Sequence, residues 1–457
     1  MNAGTKFESP AGHTPRQRPK GRASLLPFGN PKHPELAASG GEFSLNLLAI
    51  NLTRRCNLNC AHCYLDAKTL KDGSADELTT EEVCTLLDQA SKCSDGAMVV
   101  LTGGEPLLRP DVEEIVRYGN NLDLTMVVGT NGTMLTKRRV ESLKAAGVLG
   151  VGISVDSLDP EHHDGFRGAP GSWAKTMAGI ENCRQQKLVF QIHFSITANN
   201  SAELDDIVEF SRMSGAKVLN LFFLICTGRG ESISDISPAR YETLLLEIIE
   251  AQRRYPDLII RPRCAPHFKR IAHLQDPSSE LNRISGREAD GCIAGLHYCR
   301  IKPNGGITAC PYIPDEVGNV RRQSFSTLWD SASMFKQLRE PHLQGNCGVC
   351  EYQKLCGGCR ARPLAQGGSL MDADPWCRYT PKGTTVIEPL ADKVTGIDWS
   401  PEAKQRLSRI PGFVRKLVKK RAEAYVMELG EPKVTTEHLA VLSARRFGDA
   451  KPKRPGA

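Results

Sequence analysis

The stretch SLNLLAINLTRRCNLNCAHCY, Ser44 to Tyr64, runs an apolar segment directly into three cysteines. Its first half, Leu45 to Leu52, reads as a buried strand. Runs of the same kind return at Met98 to Thr102, Leu124 to Gly129, Gly150 to Val155, Val189 to Thr197 and Val218 to Leu224. Between them lie helical patterns: TTEEVCTLLDQASKC, with Thr79 or Thr80 as N-cap, then DVEEIVRYGNN, KRRVESLKAAG, SWAKTMAGIENCRQQ and SAELDDIVEFSRMSG. Strands alternating with helices predict an α/β chain folded as a parallel barrel or partial barrel, with its chemistry at the C-terminal strand ends. Cys56 to Cys63, Gly103 to Pro106, Asn131 and Asp156 all fall at such ends. A GVLGVG segment, Gly147 to Gly152, precedes a strand rather than opening a helix, so it is not a dinucleotide loop.

The chain has 457 residues, enough for two to three domains, and sixteen cysteines. The N-terminal residues MNAGTKFESPAGHTPRQRPK lack the apolar stretch of a secretory signal, which favours metal ligation over disulfides and predicts a cytoplasmic protein. No apolar run approaches the roughly 18 residues needed to cross a bilayer. Net charge is +7. The excess lies in Arg16, Arg18, Lys20 and Arg22 and in the end from Arg415 to Arg454, reading as solvated tails with no nucleic-acid reader motif. The expected organisation is a flexible basic leader over 1–42, the barrel over 43–260, and a linker with a small Cys-rich domain over 261–385. A linker over 386–398, a helical module over 399–449 and a basic tail over 450–457 follow. Ser400 is the expected N-cap of that module and Pro401 its first helical residue.

A structural zinc takes four protein ligands, but Cys56, Cys60 and Cys63 supply three, and His62 beside Cys63 could hardly reach the same ion without strain. Three thiolates suit a 4Fe-4S cluster with one iron left for another ligand. A structural or redox role without a cluster stays open at this level. Downstream stand Cys292, Cys299, Cys310, Cys347, Cys350, Cys356, Cys359 and Cys377. One zinc ribbon would satisfy CGVCEYQKLCGGC and leave four of these unused. Cys84, Cys93, Cys183 and Cys226 read as small apolar residues on helix or strand patterns, and Cys264 is unassigned.

The CxxxCxxC spacing of Cys56, Cys60 and Cys63 resembles the signature of the radical S-adenosylmethionine superfamily, which implies a partial (β/α)6 barrel of TIM type. GGEP, Gly103 to Pro106, is similar to the family motif whose backbone and Glu105 meet the methionine amino group. Ser154 and Asp156 in GISVDS resemble residues that reach the ribose, and Asn131 in GTNG lies at the comparable end of the third strand. Gly103, Gly104, Glu105, Asn131, Ser154 and Asp156 are thus the expected cofactor contacts, and Cys56, Cys60 and Cys63 the catalytic ligands. The resemblance implies reductive cleavage of S-adenosylmethionine to a 5'-deoxyadenosyl radical, and a low-potential electron donor such as ferredoxin or flavodoxin.

The later cysteines resemble the SPASM extension with auxiliary 4Fe-4S clusters, except that two residues rather than three separate Cys356 from Cys359. That pattern implies one auxiliary cluster on Cys347, Cys350, Cys356 and Cys377, and a second on Cys292, Cys299, Cys310 and Cys359. GCIAGLHYCRIKPNGGITACPYIP, LCGGCRARPLA, DPWCRY, LICTGRG and RCAPHFKR resemble the haem d1 and alternative-haem branch, which includes pre-haem d1 synthase and 12,18-didecarboxysiroheme deacetylase. WSPEAKQRLSRIPGFVRKLVKKRAEAYVMELG resembles the C-terminal domain of the light-independent protochlorophyllide reductase B subunit. A tetrapyrrole substrate with peripheral carboxylates is therefore expected, with His267, Arg229 and Arg270 as its candidate contacts and Arg263, Lys269 and Arg360 as further cations. A peptide or protein maturase, and a tetrapyrrole-binding or electron-transfer scaffold without catalysis, are the alternatives.

Overall fold

The computed structural model describes residues 43–67, 75–94, 96–225, 227–233, 236–279, 282, 291–390, 396–408 and 412–447. The expected leader and basic tail, Cys226 and part of the 386–398 linker lie outside these residues.

The six expected strands are present as β1 (Leu47–Asn51), β2 (Met98–Thr102), β3 (Thr125–Thr130), β4 (Gly150–Ser154), β5 (Val189–Ile196) and β6 (Val218–Phe223). Each pairs in parallel with the next. The connections carry α1 (Thr80–Lys92), α2 (Val112–Asn121), α3 (Lys137–Ala146), α4 (Pro160–Arg167), α5 (Ser172–Gln185) and α6 (Leu204–Ser214). Thr79 caps α1: its side chain accepts from the Glu82 N–H while Glu82 returns to the Thr79 N–H, satisfying two orphan donors at once. On β5, Phe190, Ile192, Phe194 and Ile196 are buried, while Gln191, His193 and Ser195 alternate with them on the half-buried inner face.

The sheet runs on past the expected boundary at 260. After α7 (Pro238–Arg254) comes β7 (Ile259–Arg263), parallel to β6. Pro262 within it breaks the strand pattern in sequence, yet β7 is the edge of the sheet, where a missing N–H costs no ladder bond. After α8 (His267–Gln275), β8 (Tyr298–Ile301) returns to the far side of β1 in parallel, and β9 (Gly306–Thr308) and β10 (Glu316–Asn319) continue antiparallel. The result is an open ten-stranded sheet in the order β10-β9-β8-β1-β2-β3-β4-β5-β6-β7, a partial barrel. The Cys-rich stretch thus begins as part of this sheet rather than as a separate body. It then carries short helices: α9 (Phe325–Ser331), α10 (Ser333–Arg339), α11 (Gly345–Gly348) and α12 (Ala361–Ala365).

The C-terminal module has its own core of Trp399, Ala403, Ala422, Val426, Val434 and Leu439. Ser400 caps α13 (Pro401–Ser408) as expected, accepting from the Ala403 N–H at 3.1 Å. Besides α14 (Gly412–Glu428) and α15 (Thr436–Phe447), the module contains a short parallel pair that the helical pattern did not show, β11 (Asp398–Trp399) with β12 (Lys433–Val434).

Candidate functional site

The three-cysteine loop is fixed by the strand end beside it. The Gly104 N–H donates to Thr53 O and the Glu105 N–H to Arg55 O, both at 2.8 Å, so the GGEP backbone lies directly on the residues leading into Cys56. This close approach requires glycine: a Cβ on Gly104 would stand 2.1 Å from Arg55 O. Gly104→Ala is expected to cost about 1–3 kcal/mol through overpacking and to weaken iron retention, read by thermal melting and iron assay. An unchanged melt would overturn this account.

Donors are aimed at the sulfurs. Cys56 Sγ accepts from the Leu58 N–H and Cys63 Sγ from the Ala67 N–H, each at 3.4 Å, and Arg167 Nη1 donates to Cys60 Sγ at 3.6 Å. Burial pushes the Cys56 thiol up to about 12 and raises Cys60 as well, although Arg167 pulls Cys60 back. Without metal these thiols hold their protons, so ligation has to displace them. Three grouped thiols with N–H and guanidinium donors fit an anionic iron-sulfur cluster with one iron left open. Among the described residues, no three His, Cys, Asp or Glu side chains already stand where one metal ion would join them.

The side chains expected to touch the cofactor turn out to be occupied by the protein. Glu105 is fully buried and accepts from Thr130 Oγ1, the Asn131 N–H and the Leu107 N–H at 2.9–3.0 Å, which ties the end of β2 to the end of β3. Its burial still raises its carboxyl to about 6. Asn131 Nδ2 donates to Asn57 Oδ1 at 2.8 Å, and Asn131 Oδ1 accepts from Thr133, so Asn131 holds the cysteine loop. Asp156 pairs with Arg167 and accepts from the Ser195 N–H at 2.9 Å. Burial works against the Asp156 charge, but Arg167 and then His62 hold its carboxyl below the usual range. Asp156 therefore acts on Cys60 through Arg167. That leaves Ser154, whose register partner is His193, as the expected side-chain contact not engaged in these braces.

Sequence reasoning missed the clasp around this loop. The last carbonyls of α4 accept from the loop, Asn59 N–H to Arg167 O at 3.1 Å and Ala61 N–H to Phe166 O at 3.0 Å, while His62 stacks on Phe166 at 4.4 Å. Nothing local in FRGA announces this, because the contact joins residues about a hundred positions apart. Arg229, expected at a substrate carboxylate, completes the clasp instead: it donates to Asn59 Oδ1 at 2.8 Å and Ala67 O at 3.1 Å.

Cys347, Cys350, Cys356 and Cys377 line one cavity together with His267, Arg270, Tyr352 and Asp374. This places His267 and Arg270, both buried on α8, beside these thiols. His267 Nδ1 lies 3.1 Å from the Tyr241 hydroxyl, and burial pushes its pKa down to about 4. Arg270 pairs with Glu242 and lies over the Tyr379 ring at 5.0 Å. Cys359 faces away from this cavity because Gly357 and Gly358, at φ +65° and +70°, turn the chain between it and Cys356.

Cys299 does not join Cys292, Cys310 and Cys359. On β8 it alternates with Tyr298 and Arg300, and Arg300 lies over the Tyr64 ring on the inner side at 5.5 Å. Cys299 is fully buried on the opposite face, with Cys93 and Arg339 as neighbours. The three cysteines of the loop thus meet the ends of β2, β3 and β4, and a four-thiol cavity lies beside α8.

This arrangement defines a radical S-adenosylmethionine enzyme with an iron-sulfur extension, and comparison with known proteins agrees. Residues 50–211 match the radical SAM superfamily, 292–360 the iron-sulfur cluster-binding SPASM domain, and 399–441 the proto-chlorophyllide reductase 57 kD subunit. An AdoMet-dependent heme synthase of Methanosarcina barkeri is 40% identical over 341 residues, 73% of this chain and 97% of that protein. A pre-heme d1 synthase of Dinoroseobacter shibae is 30% identical over 72% of this chain and 87% of its own length. Streptococcus suis SuiB bound to S-adenosylmethionine shares the fold at TM-score 0.60 and 18% identity, over 74% of this chain and 78% of that one. The chain belongs to the radical SAM superfamily, as a SPASM-bearing enzyme closely related to the AdoMet-dependent heme synthases. Its cofactors are 4Fe-4S clusters and S-adenosylmethionine. No helix among the described residues is long and apolar enough to cross a membrane.

Proposed function

We propose that the protein makes haem, converting propionate side chains of an iron tetrapyrrole to vinyl groups. The observation that carries this is the 40% identity to a heme synthase over nearly its whole length. Cys56, Cys60 and Cys63 hold the radical cluster, and Cys347, Cys350, Cys356 and Cys377 an auxiliary one. When bound, the radical cluster supplies the electron that cleaves S-adenosylmethionine to the 5'-deoxyadenosyl radical. Loss of one hydrogen atom from the propionate carbon next to the ring, followed by loss of carbon dioxide and of one electron, which the auxiliary cluster would accept, leaves a vinyl group. The protein's part is to hold that carbon near the radical source and keep water out. A low-potential donor such as ferredoxin or flavodoxin supplies the first electron, in a cytoplasm that keeps the thiols reduced.

The inner face of β5 to β7 provides the substrate wall. His193, Asn220 and Arg261 stand in one register row, and Ser195, Phe222 and Arg263 in the next. Arg263 Nε donates to Asn220 Oδ1 at 3.1 Å, and His193 packs on Phe222 at 5.4 Å. Aromatic and apolar surface beside guanidinium groups suits a flat macrocycle with carboxylates. Arg263→Ala is expected to weaken porphyrin binding about tenfold or more while 5'-deoxyadenosine formation without substrate is unchanged. Equal porphyrin affinity would remove Arg263 from the wall.

The direct test incubates reconstituted enzyme anaerobically with dithionite, S-adenosylmethionine and iron coproporphyrin III. Product lighter by two carbon dioxides and four hydrogens supports the reading. Unchanged porphyrin, with 5'-deoxyadenosine still formed, returns the chain to the peptide-maturase alternative.

A further inference from the structure

We propose that His267 and Arg270 tune the four-thiol site: they donate to the sulfur of the auxiliary cluster held by Cys347, Cys350, Cys356 and Cys377, and so make it easier to reduce. This rests on the reading of that cavity as a cluster site, and it gives two side chains of α8, outside the matched iron-sulfur domain, a part in its potential.

Both side chains line the cavity with the thiols, and both are almost wholly buried, His267 1% and Arg270 5% exposed. Each carries a buried nitrogen without a hydrogen-bond partner, His267 Nε2 and Arg270 Nε, and among the described residues no other side chain lining the cavity does. A buried donor left without an acceptor is costly, so an acceptor inside the cavity is the expected partner. The protein groups nearby are already committed. Asp374 Oδ2, 3.5 Å from His267 Nε2, accepts from Arg362 Nη1 at 2.5 Å and from the Cys359 N–H at 2.7 Å. At the other ring nitrogen the Tyr241 hydroxyl lies 3.1 Å from Nδ1 and can donate to it, which keeps the proton on Nε2. Arg270 is held by Glu242 through Nη2 and by the Tyr379 ring at 5.0 Å, leaving Nε for the cavity. Arg360 and Arg362, the next cations of the segment, spend their Nη groups on carbonyls and on Asp374 and do not line the cavity.

Donors and a cation beside cluster sulfur stabilise the reduced, more negative form. A site that takes up the electron left by decarboxylation has to be easier to reduce than the radical cluster, and these two residues supply that bias.

The test is a potentiometric titration of the anaerobically reconstituted full chain, followed by electron paramagnetic resonance, with the cavity's signal defined as the one that Cys350→Ala removes. His267→Phe and Arg270→Gln are each expected to lower its midpoint by about 59 mV, a tenfold change in the one-electron equilibrium, while Arg270→Lys, which keeps the charge, shifts it less. The midpoint of the cluster on Cys56, Cys60 and Cys63 is expected to stay put in all three. In a chain carrying histidine labelled with heavy nitrogen, the reduced wild-type signal is expected to show a nitrogen coupling that His267→Phe lacks; a merely structural role would move only the melting temperature. That coupling is measured on wild type, so it decides even where a variant fails to fold, and its absence there overturns the role of His267. Unmoved midpoints in folded His267→Phe and Arg270→Gln overturn the inference while the cluster reading stands. If Cys350→Ala removes no signal, the cluster reading fails and takes the inference with it.

Discussion

A chain with Cys56, Cys60 and Cys63 all replaced by alanine forms no 5'-deoxyadenosine under anaerobic reducing conditions, yet melts cooperatively and still binds iron porphyrin. Activity vanishes because no side chain can reduce a sulfonium at the required potential, and the cluster that would do so loses its ligands. Folding survives because the three thiols belong to a small cluster of their own with Leu58 and Ala67, apart from the main barrel core. Porphyrin binding survives because the proposed wall lies on β5 to β7. Iron falls by about four per chain, the content of one cubane. Residual 5'-deoxyadenosine at the wild-type rate would dispose of these thiols as catalytic ligands. A wild-type chain that binds porphyrin but never forms 5'-deoxyadenosine would be the scaffold alternative.

Asp156→Ala is expected to destabilise the fold by about 3–5 kcal/mol, the cost of stranding a buried partner charge. Arg167 is 7% exposed and Asp156 not at all, so water cannot compensate the orphaned guanidinium. The loss also frees Arg167 from its hold near Cys60, so iron is shed faster. Asp156→Ala with Arg167→Met is expected to recover much of the melting temperature, since it removes both charges together. The ribose-contact expectation makes the opposite forecast: a normal melt with weaker S-adenosylmethionine binding. Melting and cofactor affinity measured on the same variants decide between them.

The strand ends were legible because their spacing is local. Six apolar runs alternating with capped helices determine a parallel partial barrel, and the count of three thiols in CNLNCAHCY sets the chemistry. Cys347, Cys350, Cys356 and Cys377 were grouped through the resemblance to the SPASM pattern, and they line one cavity. Where sequence reasoning slipped, the deciding contact was distant or the geometry hidden. Pro262 concealed β7 because an edge strand tolerates what a central strand does not. Asp156 and Asn131 carried the right polarity at the right place, but which partner each meets depends on α4 and the cysteine loop folding over them. The resemblance to the SPASM pattern also implied Cys299 as a ligand, whereas strand alternation puts it on the face opposite Arg300.

The sequence by itself determined the alternation of strands and helices, the three-thiol loop and the places where chemistry gathers, because periodicity and spacing are properties of neighbouring residues. Only the tertiary structure decided which polar side chains brace the site and which remain for ligands. A buried donor or carboxylate is committed by the group that meets it, and here that group comes from another element of the fold.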